Sequence, residues 1–217
     1  MSSYPITLDL AGRLAIVLGA GRPAPEKIDG LLAAGARVRL IALEPCERLL
    51  ALAETGAIQL LARTYREGDL SGAWLAIAIP EELETSLPAI AREADARRIF
   101  LNVVDRPALC SFAAPAIARR GDLTVAISTA GRAPALAARI RDRIARRLGP
   151  ELERFLEIAG RARAPLAERR PDFGERRERW YALVDSDALR LLRSGREIEA
   201  HRRFEEILGI ELPEVSP

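Results

Sequence analysis

Lysine is nearly absent from this sequence: Lys27 is the one lysine among 33 basic residues, and the remaining basic positions are arginine. Histidine occurs once, at His201, and cysteine twice, at Cys46 and Cys110, far apart and outside any CxxC or Cys/His spacing. These scarcities exclude a zinc signature and a disulfide framework, and they fit a reducing cytosol. No protein-borne metal site is expected. Long apolar runs are missing too. A stretch such as residues 73–79 falls far short of a membrane span, and the N-terminal residues show no charged segment leading into an apolar one. Net charge is only +2 over 217 residues, so no overall field argues for nucleic acid. The expectation is a cytoplasmic protein with neither membrane nor nucleic-acid partners. The abundance of arginine and alanine fits a GC-rich genome better than it fits a function.

What is present begins with a short apolar run, Leu14–Leu18, that ends abruptly at Gly19-Ala20-Gly21. A run of this kind bounded by glycine reads as a buried parallel strand. Ala24, Ile28, Leu31 and Leu32 then recur at helical spacing, with Pro23 and Pro25 where a first turn tolerates proline and Gly35 as terminator. Residues 37–43 (RVRLIAL) predict a second strand and residues 47–54 a helix. Strands follow at 58–61, 74–79 and 99–104, with a helix over 81–94 interrupted near Pro88. Strands alternating with helices argue for a Rossmann-like parallel sheet.

After Asp105 the texture changes. Residues 112–118 and 123–128 flank Arg119-Arg120-Gly121-Asp122 as strand, turn and strand, and the alternation in 123–128 suits a half-buried antiparallel strand. A helix is expected over 134–148. The remainder is charged and helical, with breaks near Pro165, at 171–174 and at Ser194-Gly195. The spacing predicts an α/β class and three parts: a dinucleotide-binding domain over 1–111, a small strand–helix segment over 112–149 and a helical domain over 150–217.

Three groups of residues could carry chemistry. Gly19 and Gly21 let the backbone approach a pyrophosphate, with a helix N-terminus behind them and Ala24 at the usual third glycine position. Arg22 and Pro23 open that helix. Leu43 and Glu44 follow the second strand, where an acid can accept from ribose hydroxyls and disfavours the 2′-phosphate of NADP. The alternative is a tight turn with no ligand, but strand, turn, helix, strand and acid in order favour NAD. Asp105 stands at a strand's carboxyl end, where open α/β sheets hold their sites, although from spacing alone the better reading is an aspartate that merely caps the Arg106-Pro107 turn. Between Arg119 and Arg147, eight arginines stand against Asp122 and Asp142, beside the loop Ser128-Thr129-Ala130-Gly131. They could attract a polyanion or simply form a solvated face paired with acids of the tail. His201 reads as a surface residue, and Trp180 and Tyr181 as a helix-packing patch.

Taken in order, the chain resembles the precorrin-2 dehydrogenase/sirohydrochlorin ferrochelatase family, which includes the N-terminal half of fused sirohaem synthases. The likeness runs from Tyr4-Pro5-Ile6 through Gly19-Ala20-Gly21, Leu32-Ala33-Ala34-Gly35 and Trp74-Leu75-Ala76-Ile77. It continues through Asn102-Val103-Val104-Asp105, Ser111-Phe112 and Ser128-Thr129 to Phe173-Gly174-Glu175. The resemblance implies a homodimer whose NAD domain is followed by a dimerisation segment and a helical domain. It implies NAD-dependent oxidation of precorrin-2 to sirohydrochlorin, with ferrous iron as co-substrate of a second, chelatase step that only some members perform. Asp105 becomes the implied general base, and Asn102, Ser128 and Thr129 the implied substrate residues. The substrate's eight carboxylates would give the arginines a purpose. A dehydrogenase lacking the chelatase step and a non-catalytic tetrapyrrole or NAD carrier stand as alternatives. No methyltransferase portion follows, so precorrin-2 is expected to come from another protein.

The sequence also departs from the family pattern. Glu26-Lys27 stands where relatives often have Arg-Lys, and Ile79-Pro80-Glu81 where they often have Ala-Thr and an acid. Both stretches border the expected dinucleotide cleft.

Overall fold

A computed structural model describes residues 4–212. The chain forms two compact units, Met1–Ala114 and Pro115–Pro217. The second and third expected parts, apart from residues 112–114, fall within the second unit.

In the first unit, β1 (Leu14–Leu18) is the centre of a five-stranded sheet with β2 (Arg37–Ile41) and β3 (Ile58–Leu61) on one side and β4 (Leu75–Ala78) and β5 (Phe100–Val103) on the other. All four pairings are parallel. Alternation along β1 divides the core between the two faces of the sheet. Ala15 and Val17 pack with Ile28 and Leu31 of α1 (Ala24–Ala33) and Leu49 of α2 (Glu47–Glu54). Ile16 and Leu18 pack with Leu87, Ile90 and Ala94 of α3 (Leu87–Ala96). A strand buried on both faces has to be apolar throughout, which is why LAIVL contains no polar residue.

Two expectations for this unit need correction. The second strand ends at Ile41, so Leu43 and Glu44 lie in the following bend. Pro88 does not interrupt a helix; it sits in the first turn of α3, where its missing N–H costs nothing, and a 3-10 turn, Pro80–Glu82, precedes it.

The connection from β3 to β4 contains no helix. It is folded around Glu93, a carboxylate only 7% exposed. Glu93 Oε2 accepts from the Tyr65 hydroxyl at 2.6 Å and the Gly68 amide at 3.0 Å, and Oε1 from Arg97 Nε at 2.8 Å. Leu70, fully buried, fills the space a crossover helix would otherwise cover.

The second unit begins with an antiparallel hairpin, β6 (Ala116–Arg120) and β7 (Leu123–Ile127). Arg119 and Arg120 belong to the strand, not to the turn; the turn is Gly121-Asp122, with Gly121 at φ +51 as hairpin twist demands. After α4 (Pro134–Ala145) come α5 (Pro150–Arg169), α6 (Phe173–Val184), α7 (Ala188–Arg193) and α8 (Glu197–Leu208). Helix α5 runs straight through Pro165, where a break was expected. Phe155, Ile158, Ala162 and Leu166 bury one face on both sides of the proline. Together they outweigh a penalty of about 3 kcal/mol. Phe155 and Phe204 meet at 4.9 Å between ring centroids in this helical core. His201 is half-buried there, not on the surface, and desolvation followed by the charges of Arg161 and Arg154 lowers its pKa.

Candidate functional site

The sheet order places β1 and β4 side by side while the chain leaves them toward opposite faces, and an open α/β sheet gapes at such a point. The Ile79 amide donates to the Leu18 carbonyl at 2.9 Å, and the Gly19 amide to the Ile41 carbonyl at 2.9 Å. The turn after β1 is thereby tied to both neighbouring strands. Gly19 has φ +85, and a Cβ there would stand 2.7 Å from the Ile79 carbonyl oxygen. Glycine is therefore required at position 19 for both conformation and space.

At Gly21 only space is at issue, and no positive φ is involved. A Cβ on it would lie 1.5 Å from Glu81 Oε2 and 2.9 Å from Ile79 Cγ2. Pro23 caps α1 without a side-chain hydrogen bond, Pro25 lies in its first turn, and the Ala24 amide donates to the Gly21 carbonyl at 2.8 Å. Ala24 is fully buried against the sheet, as its small side chain allows. Arg22 is exposed beside the turn, and Leu43 and Glu44 are exposed at the end of β2. The crevice has the parts of a dinucleotide site: a glycine turn, a helix N-terminus, and an acid past the second strand.

Asp105 follows β5 at the same edge of the sheet. It is exposed and left-handed, with φ +57, a region in which Asp is among the better-tolerated non-glycine residues. Among the described residues its carboxylate has no hydrogen-bond or ion-pair partner. The neighbouring Arg106 donates from Nη2 to Glu84 Oε1 at 2.6 Å and reaches the Asp105 backbone carbonyl, not its carboxylate, with Nη1 at 3.5 Å. Asn102 is half-buried, and its Nδ2 donates to the Phe112 carbonyl at 3.0 Å, tying the segment after Asp105 back to β5. A cavity of about 430 Å³ lined by Asp95, Arg98, Phe100, Leu109 and Ser111 includes neither Gly19 nor Asp105, and the chemistry gives it no role.

In the second unit, Ser128 Oγ accepts from the Ala130 amide and Thr129 Oγ1 from the Ala133 amide, both at 3.2 Å. Ala130 and Gly131 both have positive φ. Of the eight arginines, Arg120 donates to the Leu148 carbonyl and Arg141 to Asp142. Among the described residues, Arg119, Arg132, Arg139, Arg143, Arg146 and Arg147 form no ion pair.

Sequence reasoning missed the contact of Glu81 with Gly21. Its signal was an acid three residues past the apolar run of β4, beside the glycine turn in a parallel sheet.

Three family models match along the chain: "Putative NAD(P)-binding" over residues 6–116, "Sirohaem biosynthesis protein central" over 120–147, and "Sirohaem synthase dimerisation region" over 151–208. The chain belongs to the family that these models describe, an NAD(P)-binding half followed by two sirohaem-biosynthesis regions. Its first unit is the NAD(P)-binding domain, with a nicotinamide dinucleotide as its cofactor. A siroheme synthase of Pseudomonas paraeruginosa is 39% identical over 209 residues, covering 96% of this chain and 45% of that protein. Siroheme synthase 1 of Serratia proteamaculans is 35% identical over 208 residues, with 96% and 44% covered. The chain thus spans about half the length of the curated relatives it matches. A solved structure named "SirC, precorrin-2 dehydrogenase" shares the fold, with a TM-score of 0.74 over 96% of this chain and 100% of that one at 19% identity.

Proposed function

We propose that this chain oxidises precorrin-2 to sirohydrochlorin with NAD, working as a cytoplasmic homodimer, and that Asp105 is its general base. The observation that carries the reading is the Asp105 carboxylate: unpaired, exposed, and at the same sheet edge as the glycine turn. NAD, when bound, supplies the hydride acceptor. The oxidation removes one hydride and one proton from the macrocycle, and Asp105 accepts the proton and passes it to solvent. We assign Ser128 and Thr129 to the substrate side of the reaction, and Asn102 to holding the Asp105 segment in place. The six unpaired arginines give a polycarboxylate a strong, salt-sensitive attraction. Dimer formation is supported by how little β6, β7 and α4 bury by themselves: Ala118 and Ala137 are their buried residues, while Ile117 and Leu136 are exposed.

A second step follows from the same chemistry. Ferrous iron enters as substrate, two pyrrole N–H protons leave, and the macrocycle's four nitrogens take the metal, with Asp105 again as proton acceptor.

The test is anaerobic turnover of enzymatically made precorrin-2 with NAD, following NADH and the tetrapyrrole spectrum, with Asp105→Ala in parallel. NADH that depends on Asp105 supports the dehydrogenase, and conversion on adding ferrous iron above the no-enzyme rate supports the chelatase. NAD binding without NADH formation would sink the catalytic reading in favour of a carrier.

A further inference from the structure

The register of β1 against β4 pairs Leu18 with Ala78, so the next residues, Gly19 and Ile79, leave the sheet side by side. The 3-10 turn Pro80–Glu82 then carries Glu81 back across the crevice. Its Oε2 lies where a Cβ of Gly21 would be, within 1.5 Å. In a glycine turn of this kind, the second glycine is kept bare so that a pyrophosphate can approach the backbone. Here a carboxylate of the same chain has entered that space.

We propose that Glu81 is an internal competitor for the dinucleotide: its carboxylate stands in the pyrophosphate position and sets how tightly this chain takes up its cofactor. The inference rests on the dinucleotide site alone and not on the tetrapyrrole substrate. The N-terminus of α1 attracts either anion through its dipole, but not both into one space. That terminus is also poor in donors for an incoming phosphate. Pro23 and Pro25 have no N–H, and the Ala24 amide is spent on the Gly21 carbonyl. Glu81 is exposed, and among the described residues its carboxylate makes no hydrogen bond or ion pair, so nothing locks it in place. It can rotate out, and the fraction of molecules in which it has done so scales the apparent affinity.

A competitor of this kind discriminates by charge at the diphosphate and is blind to the adenosine. The test titrates the full chain, as wild type, Glu81→Gln and Glu81→Ala, with NAD, ADP-ribose and adenosine by calorimetry, with thermal melting to show that each variant is folded. Both variants should bind NAD and ADP-ribose about tenfold more tightly than wild type, with adenosine unchanged. Added salt should narrow the gap between wild type and Glu81→Gln. Unchanged or weaker NAD binding in the variants overturns the proposal, as does equal tightening for adenosine or no binding to any of the three proteins. Because no tetrapyrrole enters the experiment, none of these outcomes bears on the oxidation itself.

Discussion

Arg106 follows Asp105 in the chain, yet its guanidinium is bonded to Glu84, Nη2 to Oε1 at 2.6 Å, which leaves the Asp105 carboxylate without a cation. The proposed chemistry needs that carboxylate free to meet the substrate, and the Glu84 bond keeps the Arg106 side chain off it. Glu84→Gln should free Arg106 to turn toward Asp105 and lower kcat by about twofold to tenfold, with NAD affinity unchanged. Both groups are solvent-exposed, which keeps the expected effect modest. Restored turnover in Glu84→Gln/Arg106→Ala would trace the loss to Arg106; an unaltered kcat in Glu84→Gln would show that the pair has no part in catalysis.

The backbone at Asp105 allows its role to be separated from its shape. Asn tolerates φ +57 about as well as Asp does, and Gly tolerates it better. Asp105→Asn and Asp105→Gly should both fold, the glycine variant melting no lower than wild type. Both should lose at least about 100-fold in NADH formation if the carboxylate takes the proton. If Asp105→Asn keeps near-native turnover, the general base lies elsewhere.

The two glycines of the turn should behave differently. At Gly19 a side chain meets the Ile79 carbonyl, fixed backbone, at 2.7 Å and requires φ +85. Gly19→Ala should cost about 1–3 kcal/mol in urea unfolding. At Gly21 the nearest atoms are the end of the Glu81 side chain, which can move, and Ile79 Cγ2 at 2.9 Å. Gly21→Ala should therefore cost little stability but most of the NAD affinity, because a methyl then blocks the pyrophosphate. Equal losses of stability at both positions would contradict this division.

Much of this was legible in the sequence because single residues carry it. LAIVL followed by GAG can hardly be other than a buried strand and its turn, and the α/β order followed from strands spaced by helices. The Asn102–Asp105 motif was legible only through resemblance, since spacing alone made Asp105 a turn residue. Pro165 misled because a local penalty was weighed without the tertiary packing on either side of it. Glu81 was placed beside the cleft by its departure from the family pattern, but its meeting with Gly21, 60 positions away, and that of Glu93 with Tyr65, 28 positions away, depend on sheet topology and not on local spacing.

Glu93 anchors the helix-free connection before β4, and its removal should be felt there. Glu93→Ala strands the Gly68 amide, the Leu70 amide and the Tyr65 hydroxyl in a largely buried site. A loss of about 2–4 kcal/mol is expected. Desolvation, and after it the Glu93 bond, holds the Tyr65 hydroxyl protonated, with its pKa well above the usual phenol range. In a Glu93→Ala/Tyr65→Phe cycle the two losses should not add, and additive losses would show that the contact carries no coupling.

In the second unit, Glu151 answers to pH. It lies in the first turn of α5, is 5% exposed, and accepts from Arg193 Nε at 2.9 Å. Its own backbone amide, then Arg193, and at longer range Arg120, hold its pKa below the ordinary 4.5, against the opposing effect of burial. A carboxylate whose folded pKa is depressed binds its proton more readily in the unfolded chain. Its contribution is therefore complete above pH 4.5 and is lost as pH falls through the depressed folded value. At neutral pH, Glu151→Gln should lower stability by about 1–2 kcal/mol, a figure kept small because Arg193 is mostly exposed. Urea unfolding of wild type and Glu151→Gln at pH 7, at about pH 5 and at about pH 3 separates the outcomes. The gap should persist at the two higher values and narrow at the lowest; a gap that stays constant would mean that the amide loses packing or hydrogen-bond geometry and that the charge of Glu151 contributes nothing.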